Sequence, residues 1–405
     1  MRSEDCIARL HGSRPTDMLR RMSAKADAIQ QAKNTPQPGS VIRAEFPLLI
    51  GWGTAAIFIV IGTAALNEVT THVVPLLGVF AWLFAVILWS AIRVVRHADC
   101  LAIKLGEPYG TLILTLSAIS IEVAMISTAM LHGANNPTLG RDSVFAVIMI
   151  ALNGLVGLCL VLGGLRYREQ HYNIQGVNAY LNVIMALAVL GLVLPNFTTS
   201  TSGPTFSTEQ EIFFAAVSLL LYAIFLLIQT LRHRGYFLDV KETTTRHSPH
   251  YLPRVRSTGF HALMMLLYLG TVIFLAEKFA VPLDNSIEQF HMPQAFGGAI
   301  IAALVLSPEG LGGITAGMQN HLQRSINILF GSVLATIGLT IPAVLMIGLL
   351  TKRPVALGLQ GGNLPLLLLT LAVSVVTFTS RKTNVLQGCV HLLLFAVFVL
   401  LIFVP

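Results

Sequence analysis

Two glutamates stand where an ionised side chain is costly. Glu122 falls near the middle of an apolar run over 108-131, among Ile119, Ile121, Val123 and Met125. Glu309 follows Ala302-Ala303-Leu304-Val305-Leu306 inside the run 291-317. An ionisable group at the centre of a bilayer is expensive unless it is protonated, paired or hydrated, so it is first of all a candidate for function. Two carboxylates brought together in a low dielectric repel each other, and at least one proton is retained near neutral pH. A metal cation can replace that proton, since hard cations such as calcium take about six to eight oxygen ligands from carboxylates, amides, carbonyls and water. Glu122 and Glu309 are therefore read as one cation- and proton-binding pair, and as the metal ligands. Ser120 and Ser307, each two residues before its glutamate, and the amide Asn153 are candidate neutral ligands. Ser307-Pro308-Glu309-Gly310 with Gly312-Gly313 predicts a helix break that would expose backbone carbonyls, whereas Gly297-Gly298 reads as close packing between helices.

The elements that must hold these residues are set by the solvent. Hydrophobic residues make up 54% of the 405, charged ones only 11%, and the mean hydropathy is +0.73. A single soluble core cannot hide that much apolar surface, so lipid must surround most of the chain. A bilayer-spanning helix needs about 20 mostly apolar residues. Runs of that kind lie near 47-66, 73-95, 108-131, 142-165, 177-195, 211-231, 258-280, 291-317, 323-350, 362-380 and 384-404. The expected fold is an all-α polytopic membrane protein of about eleven transmembrane helices.

An internal repeat organises them. Shifting the sequence by 187 places carries Gly110, Ser120 and Glu122 onto Gly297, Ser307 and Glu309, and Tyr109 onto Phe296. Five spans then lie in 73-231 and five in 258-405. An odd number of spans makes the second unit enter the membrane from the opposite side, so the repeats are inverted, an architecture that places a substrate site at the midplane where the halves meet. The helix over 47-66 stands outside the symmetry. Residues 1-46 are polar and read as a cytoplasmic tail, and 232-257 as a basic cytoplasmic linker.

The net charge of +7 and the pI of 9.4 serve topology and not nucleic acid, because the bases sit in short loops. With the N-terminus in the cytoplasm, Arg93, Arg96, Lys104, Arg166, Arg168, Arg324, Arg381, Lys382 and the run Arg232 to Arg256 share the inner side. The outer side keeps Arg141, Lys278, Lys352 and Arg353. Asp142 reads as a helix-start residue and Glu277 with Lys278 as an interfacial pair. Cys6, Cys100, Cys159 and Cys389 lack metal-ligand spacing.

At Gly110, Ser120 and Glu122, and again at Ser307-Pro308-Glu309-Gly310, Asn320-His321-Leu322-Gln323-Arg324 and Gly331-Ser332-Val333-Leu334-Ala335-Thr336-Ile337-Gly338, the chain resembles the calcium/cation antiporter superfamily. The likeness is greatest to the bacterial ChaA-type calcium/proton (sodium, potassium/proton) antiporters. The resemblance covers roughly 73 to 405. It implies a ten-helix core of two inverted halves, with the acidic residue of each half as the central ion ligand, here Glu122 and Glu309. It further implies a polar residue in the following helix, mapped onto Asn153 and Ser332. Where the broader family has a Gly-Asn-Ala type run before the acid, this chain has Ala118-Ile119-Ser120 and Val305-Leu306-Ser307.

The expected function is secondary exchange of cytoplasmic calcium, with sodium or potassium as further cargoes, for protons in a bacterial inner membrane. The alternative is a monovalent cation/proton antiporter with little calcium transport. No resident cofactor is expected, since the cation is cargo, and the partners are calcium, sodium or potassium ions, protons and the lipid bilayer. An embedded enzyme is disfavoured because the spans hold no His-Glu-x-x-His, no Gly-x-Ser-x-Gly and no aspartate pair.

Overall fold

The computed structural model describes residues 45–106, 109–132, 136–238 and 256–404. The tail up to 44 and the linker segment 239–255 therefore lie outside the described residues. Eleven helical segments follow in order: α1 Phe46–Val69, α2 Val73–Leu105, α3 Tyr109–His132, α4 Leu139–Tyr167, α5 Ile174–Leu192, α6 Thr208–Leu227, α7 Thr258–Gln289, α8 Ala295–Met318, α9 Leu322–Thr351, α10 Asn363–Thr377 and α11 Val385–Phe403. Each expected span corresponds to one of them. Among the described residues nine helices are long and apolar enough to cross a membrane; Asn363–Thr377 is a shorter apolar helix, and so is the Phe46–Gly62 part of α1, which kinks at Gly62 with a φ of 75°. The chain is an all-α polytopic membrane protein, one extra helix followed by two inverted sets of five.

Two spans run longer than their apolar cores. α2 has 33 residues and α7 has 32, because Arg96, His97, Asp99 and Lys104 are polar without being helix breakers. Nothing ends α2 until Gly106, whose φ of 67° suits glycine. The two long helices pack against each other. The break expected at Ser307-Pro308-Glu309-Gly310 is not present. α8 continues through Pro308. A proline removes one hydrogen bond, and here neighbouring helices close in just beyond it: a Cβ on Gly310 would stand 3.1 Å from Leu155, and one on Gly313 would stand 3.0 Å from Leu329. Gly298 is equally tight, since a Cβ there would stand 2.7 Å from the Ser143 backbone nitrogen on α4.

The irregularity that positions the site lies elsewhere. α4 contains a π-helical stretch at Met149–Leu155, and α9 contains one at Thr336–Thr340. Both begin at positions related by the 187-residue shift, so the repeat extends to this backbone detail. A π turn inserts an extra residue and rotates the side chains beyond it, a device that recurs at functional sites.

The loops sort onto two faces. On one, a short antiparallel pair joins β1 Gln170–His171 to β2 Lys382–Thr383, Asn173 donates from its backbone to Gln323 Oε1 at 2.7 Å, and Lys104 donates to the Arg256 carbonyl beside the linker. On the other, Ala356 donates to the Pro137 carbonyl at 2.9 Å, Asn196 to that of Leu359 at 2.7 Å, and Asn136 to Gln294 at 3.1 Å. Asp142 begins α4 as expected, bonded to Thr138 at 2.8 Å and Arg141 at 2.8 Å. Glu277 and Lys278 pair at 2.9 Å.

Candidate cation and proton site

Glu122 on α3 and Glu309 on α8 line one cavity of about 250 Å³. Glu122 is 3% exposed, and its Oε2 accepts a 2.8 Å hydrogen bond from the Thr336 hydroxyl. Thr336 opens the π stretch of α9, so the irregular turn of the second half grips the acid of the first. Thr340, one turn on, sits toward the same carboxylate without a well-formed hydrogen bond. The other oxygen of Glu122, Oε1, and Oε2 of Glu309 are buried with no hydrogen-bond partner among the described residues. Two such oxygens from opposed helices are acceptors left open inside the cavity, which suits a proton or a metal ion.

The remaining lining shows where the cavity leads. It includes Leu114, Thr115 and Ala118 from the first half of α3, Gln229 beyond the end of α6, and Arg324, Asn327 and Ser332 from the first half of α9. All lie between the glutamates and the face that carries the linker. A hydrogen-bonded wall bounds that approach: Gln229 donates to the Tyr180 hydroxyl at 2.8 Å, Gln323 to Asn327 at 2.9 Å, and Asn327 to the Phe237 carbonyl at 2.6 Å.

The neutral ligands expected beside the pair fare differently. Ser332 lines the cavity. Ser120 and Ser307 do not; their hydroxyls donate back to the carbonyls of Leu116 at 2.6 Å and Ala303 at 2.6 Å, the usual arrangement of a serine inside a helix. Asn153 also lies outside the cavity. Its amide donates to the Thr370 hydroxyl at 2.8 Å and its oxygen lies 3.1 Å from His391 Nδ1, while His391 Nε2 meets Thr377 at 3.1 Å. The polar atoms of Asn153 are thus engaged by α10 and α11.

The pairing of Asn153 with Ser332 is corrected as well. The 187-residue shift that superposes the π stretches sets Asn153 opposite Thr340, Met149 opposite Thr336, and Ser332 opposite Phe145. Keeping that register through the second helix of each repeat was the signal that could have found Thr336 and Thr340.

Residues 75–231 and 260–404 match the family described as Sodium/calcium exchanger protein. The chain belongs to that family. Within it, the chain is 45% identical over 312 residues to the Putative ionic transporter y4hA of Sinorhizobium fredii, covering 77% of this chain and 84% of the relative. It is 40% identical over 319 residues to the Sodium-potassium/proton antiporter ChaA of Escherichia coli, covering 78% and 86%. The fold is similar to that of the crystal structure of the Ca2+/H+ antiporter protein YfkE, with a TM-score of 0.67 at 17% identity over 90% of this chain and 100% of that one. The family is one of secondary ion transporters and not of enzymes.

Proposed function

We propose that this protein exchanges a cation for protons at a single site made by Glu122 and Glu309, the two inverted halves rocking so that the site opens to one side of the membrane and then to the other. What carries the reading is the shared cavity, with one carboxylate from each half and an unengaged oxygen on each. The same oxygens cannot hold a proton and a metal ion together, so loading one cargo expels the other. Exchange follows from that competition without a separate coupling device.

The face toward which the cavity runs carries the linker and the dense bases, and is read as the cytoplasm of a bacterial plasma membrane. Sodium or potassium is the leading cargo, because the relative at 40% identity is named for them. Calcium is the second reading, favoured by a site that offers two carboxylates to one ion.

The test is proton flux in everted vesicles on adding calcium, sodium or potassium separately across a pH series. The unaltered chain is expected to move protons against at least one of the three. Glu122→Gln and Glu309→Gln are each expected to lower that exchange about 100-fold, equivalent to ~2.7 kcal/mol. Undiminished exchange in both variants would remove the site from consideration.

A further inference from the structure

Glu122, Glu309 and Arg324 are the charged residues that line the cavity. A cation bound for the glutamates from the linker face therefore passes a fixed positive charge. That charge is not explained by its own helix. Arg324 is the third residue of α9, in a first turn that contains no acid, and the positive end of the helix dipole disfavours a cation there. The hydrogen-bonded wall of Tyr180, Gln229 and Asn327 is likewise built without the guanidinium. Asp99, near the end of α2, interacts electrostatically with both Arg324 and Glu309.

We propose that Arg324 is a specificity-determining residue that disfavours divalent relative to monovalent cations, and that Asp99 tempers it. The inference rests on the two-glutamate reading. Coulomb energy is proportional to the charge of the ion, so neutralising residue 324 relieves a divalent cation twice as much as a monovalent one at the same place. The glutamates attract both ions, and they attract the divalent more strongly. Arg324 trims that advantage. Removing the negative charge of Asp99 leaves Arg324 unopposed and should act in the opposite direction.

A bland account is available, in which Arg324 is only one of the bases that orient the chain in the membrane. It predicts changes in yield or orientation and none in the ratio between ions. The purified full-length chain in proteoliposomes separates the two accounts, with calcium and potassium titrated separately and proton flux as the readout. If the unaltered chain moves only potassium, calcium is scored by the concentration that inhibits it.

Arg324→Gln is expected to shift the calcium-to-potassium ratio of apparent affinities toward calcium by about 3- to 10-fold, the order that a screened unit charge at a protein surface supplies. Arg324→Lys, which keeps the charge, should stay at the original ratio, and Asp99→Asn should move it toward potassium. The shift in Arg324→Gln should shrink as salt rises from about 0.01 M to about 0.15 M, where the screening length falls from about 30 Å to about 8 Å.

An unchanged ratio in a monodisperse Arg324→Gln protein overturns the inference. So does a shift equal in Gln and Lys variants, which would make shape the cause. Should the Gln variant fail to fold, Asp99→Asn and the salt series decide, and a ratio indifferent to both overturns the inference. Loss of flux in Glu122→Gln and Glu309→Gln alongside an unchanged Arg324→Gln ratio leaves the site standing and removes only the filter.

Discussion

In the second half, the π stretch of α9 turns Thr336 toward Glu122 and Thr340 to the same side, whereas in the first half the matching stretch of α4 turns Asn153 away from the cavity and into α10 and α11. The approach from the linker face is walled by polar side chains of α5, α6 and α9. Around Asn153 the space is filled instead: Phe395 closes on Gly154, and Leu392 on Gly157, where a Cβ would lie 2.9 Å from its Cγ. A repeat guarantees equivalent positions along the chain and does not guarantee equivalent surroundings. If the two halves exchanged environments, the site would open toward the opposite face, which is what an alternating-access cycle requires of an inverted pair.

That asymmetry can be broken at several points. The largest effect belongs to what the halves share: either glutamate replaced by glutamine should silence exchange, whichever half it comes from. Next, Asn153→Ala should take away the amide that the buried Thr370 hydroxyl and His391 Nδ1 share, at about 1–3 kcal/mol of stability, read as a lower unfolding temperature in detergent. Ion affinity in the protein that remains folded should change little. A tenfold loss of affinity at unchanged stability would mean that Asn153 serves the site in another state.

Thr336→Val removes the hydroxyl that donates to Glu122 Oε2 and keeps the shape. A net hydrogen bond of about 1 kcal/mol corresponds to roughly a fivefold weaker apparent cation affinity, and Thr336→Ser should restore it. The reverse pattern, Ser as damaging as Val, would argue for packing over hydrogen bonding. The smallest effect is at the surface bridge between the halves. Lys382 donates to Glu169 at 2.9 Å, and both side chains are more than half exposed, so Glu169→Gln should leave melting and flux within error. The hydrogen bond and charge of Lys382 hold Glu169 below the ordinary carboxylate range. Any contribution it makes is present at neutral pH and disappears as the pH falls through that lowered value.

Much of this was legible in the chain. Apolar runs located all eleven helices, because in a bilayer every backbone polar group must be satisfied within the segment, and only length and apolarity are then needed to mark a span. They erred at α2 and α7, where polar residues ended the apolar run but not the helix. The glutamates announced themselves by the cost of their position. The break expected at Pro308 failed, because a local rule about proline is overridden when glycines let neighbouring helices close around it.

The neutral ligands were harder. Whether Ser120, Ser307 or Asn153 offers an oxygen to an ion depends on where each side chain turns, and serines on a helix have a carbonyl of their own within reach. Asn153 lies on the same apolar background as the glutamates, and only the placement of Thr370 and His391 shows that its amide is occupied.

By itself, the sequence determined the number of helices, the inverted repeat and the paired acids Glu122 and Glu309, since each follows from periodicity, counting and the energy of a charge in lipid. Only the tertiary structure decided which side chains meet those acids. Thr336 meets Glu122, Arg324 lines the cavity of the pair, and Asn153 turns away from it, because π turns rotate whole helix faces and the two halves stand in different surroundings, neither of which a residue-by-residue reading can compute.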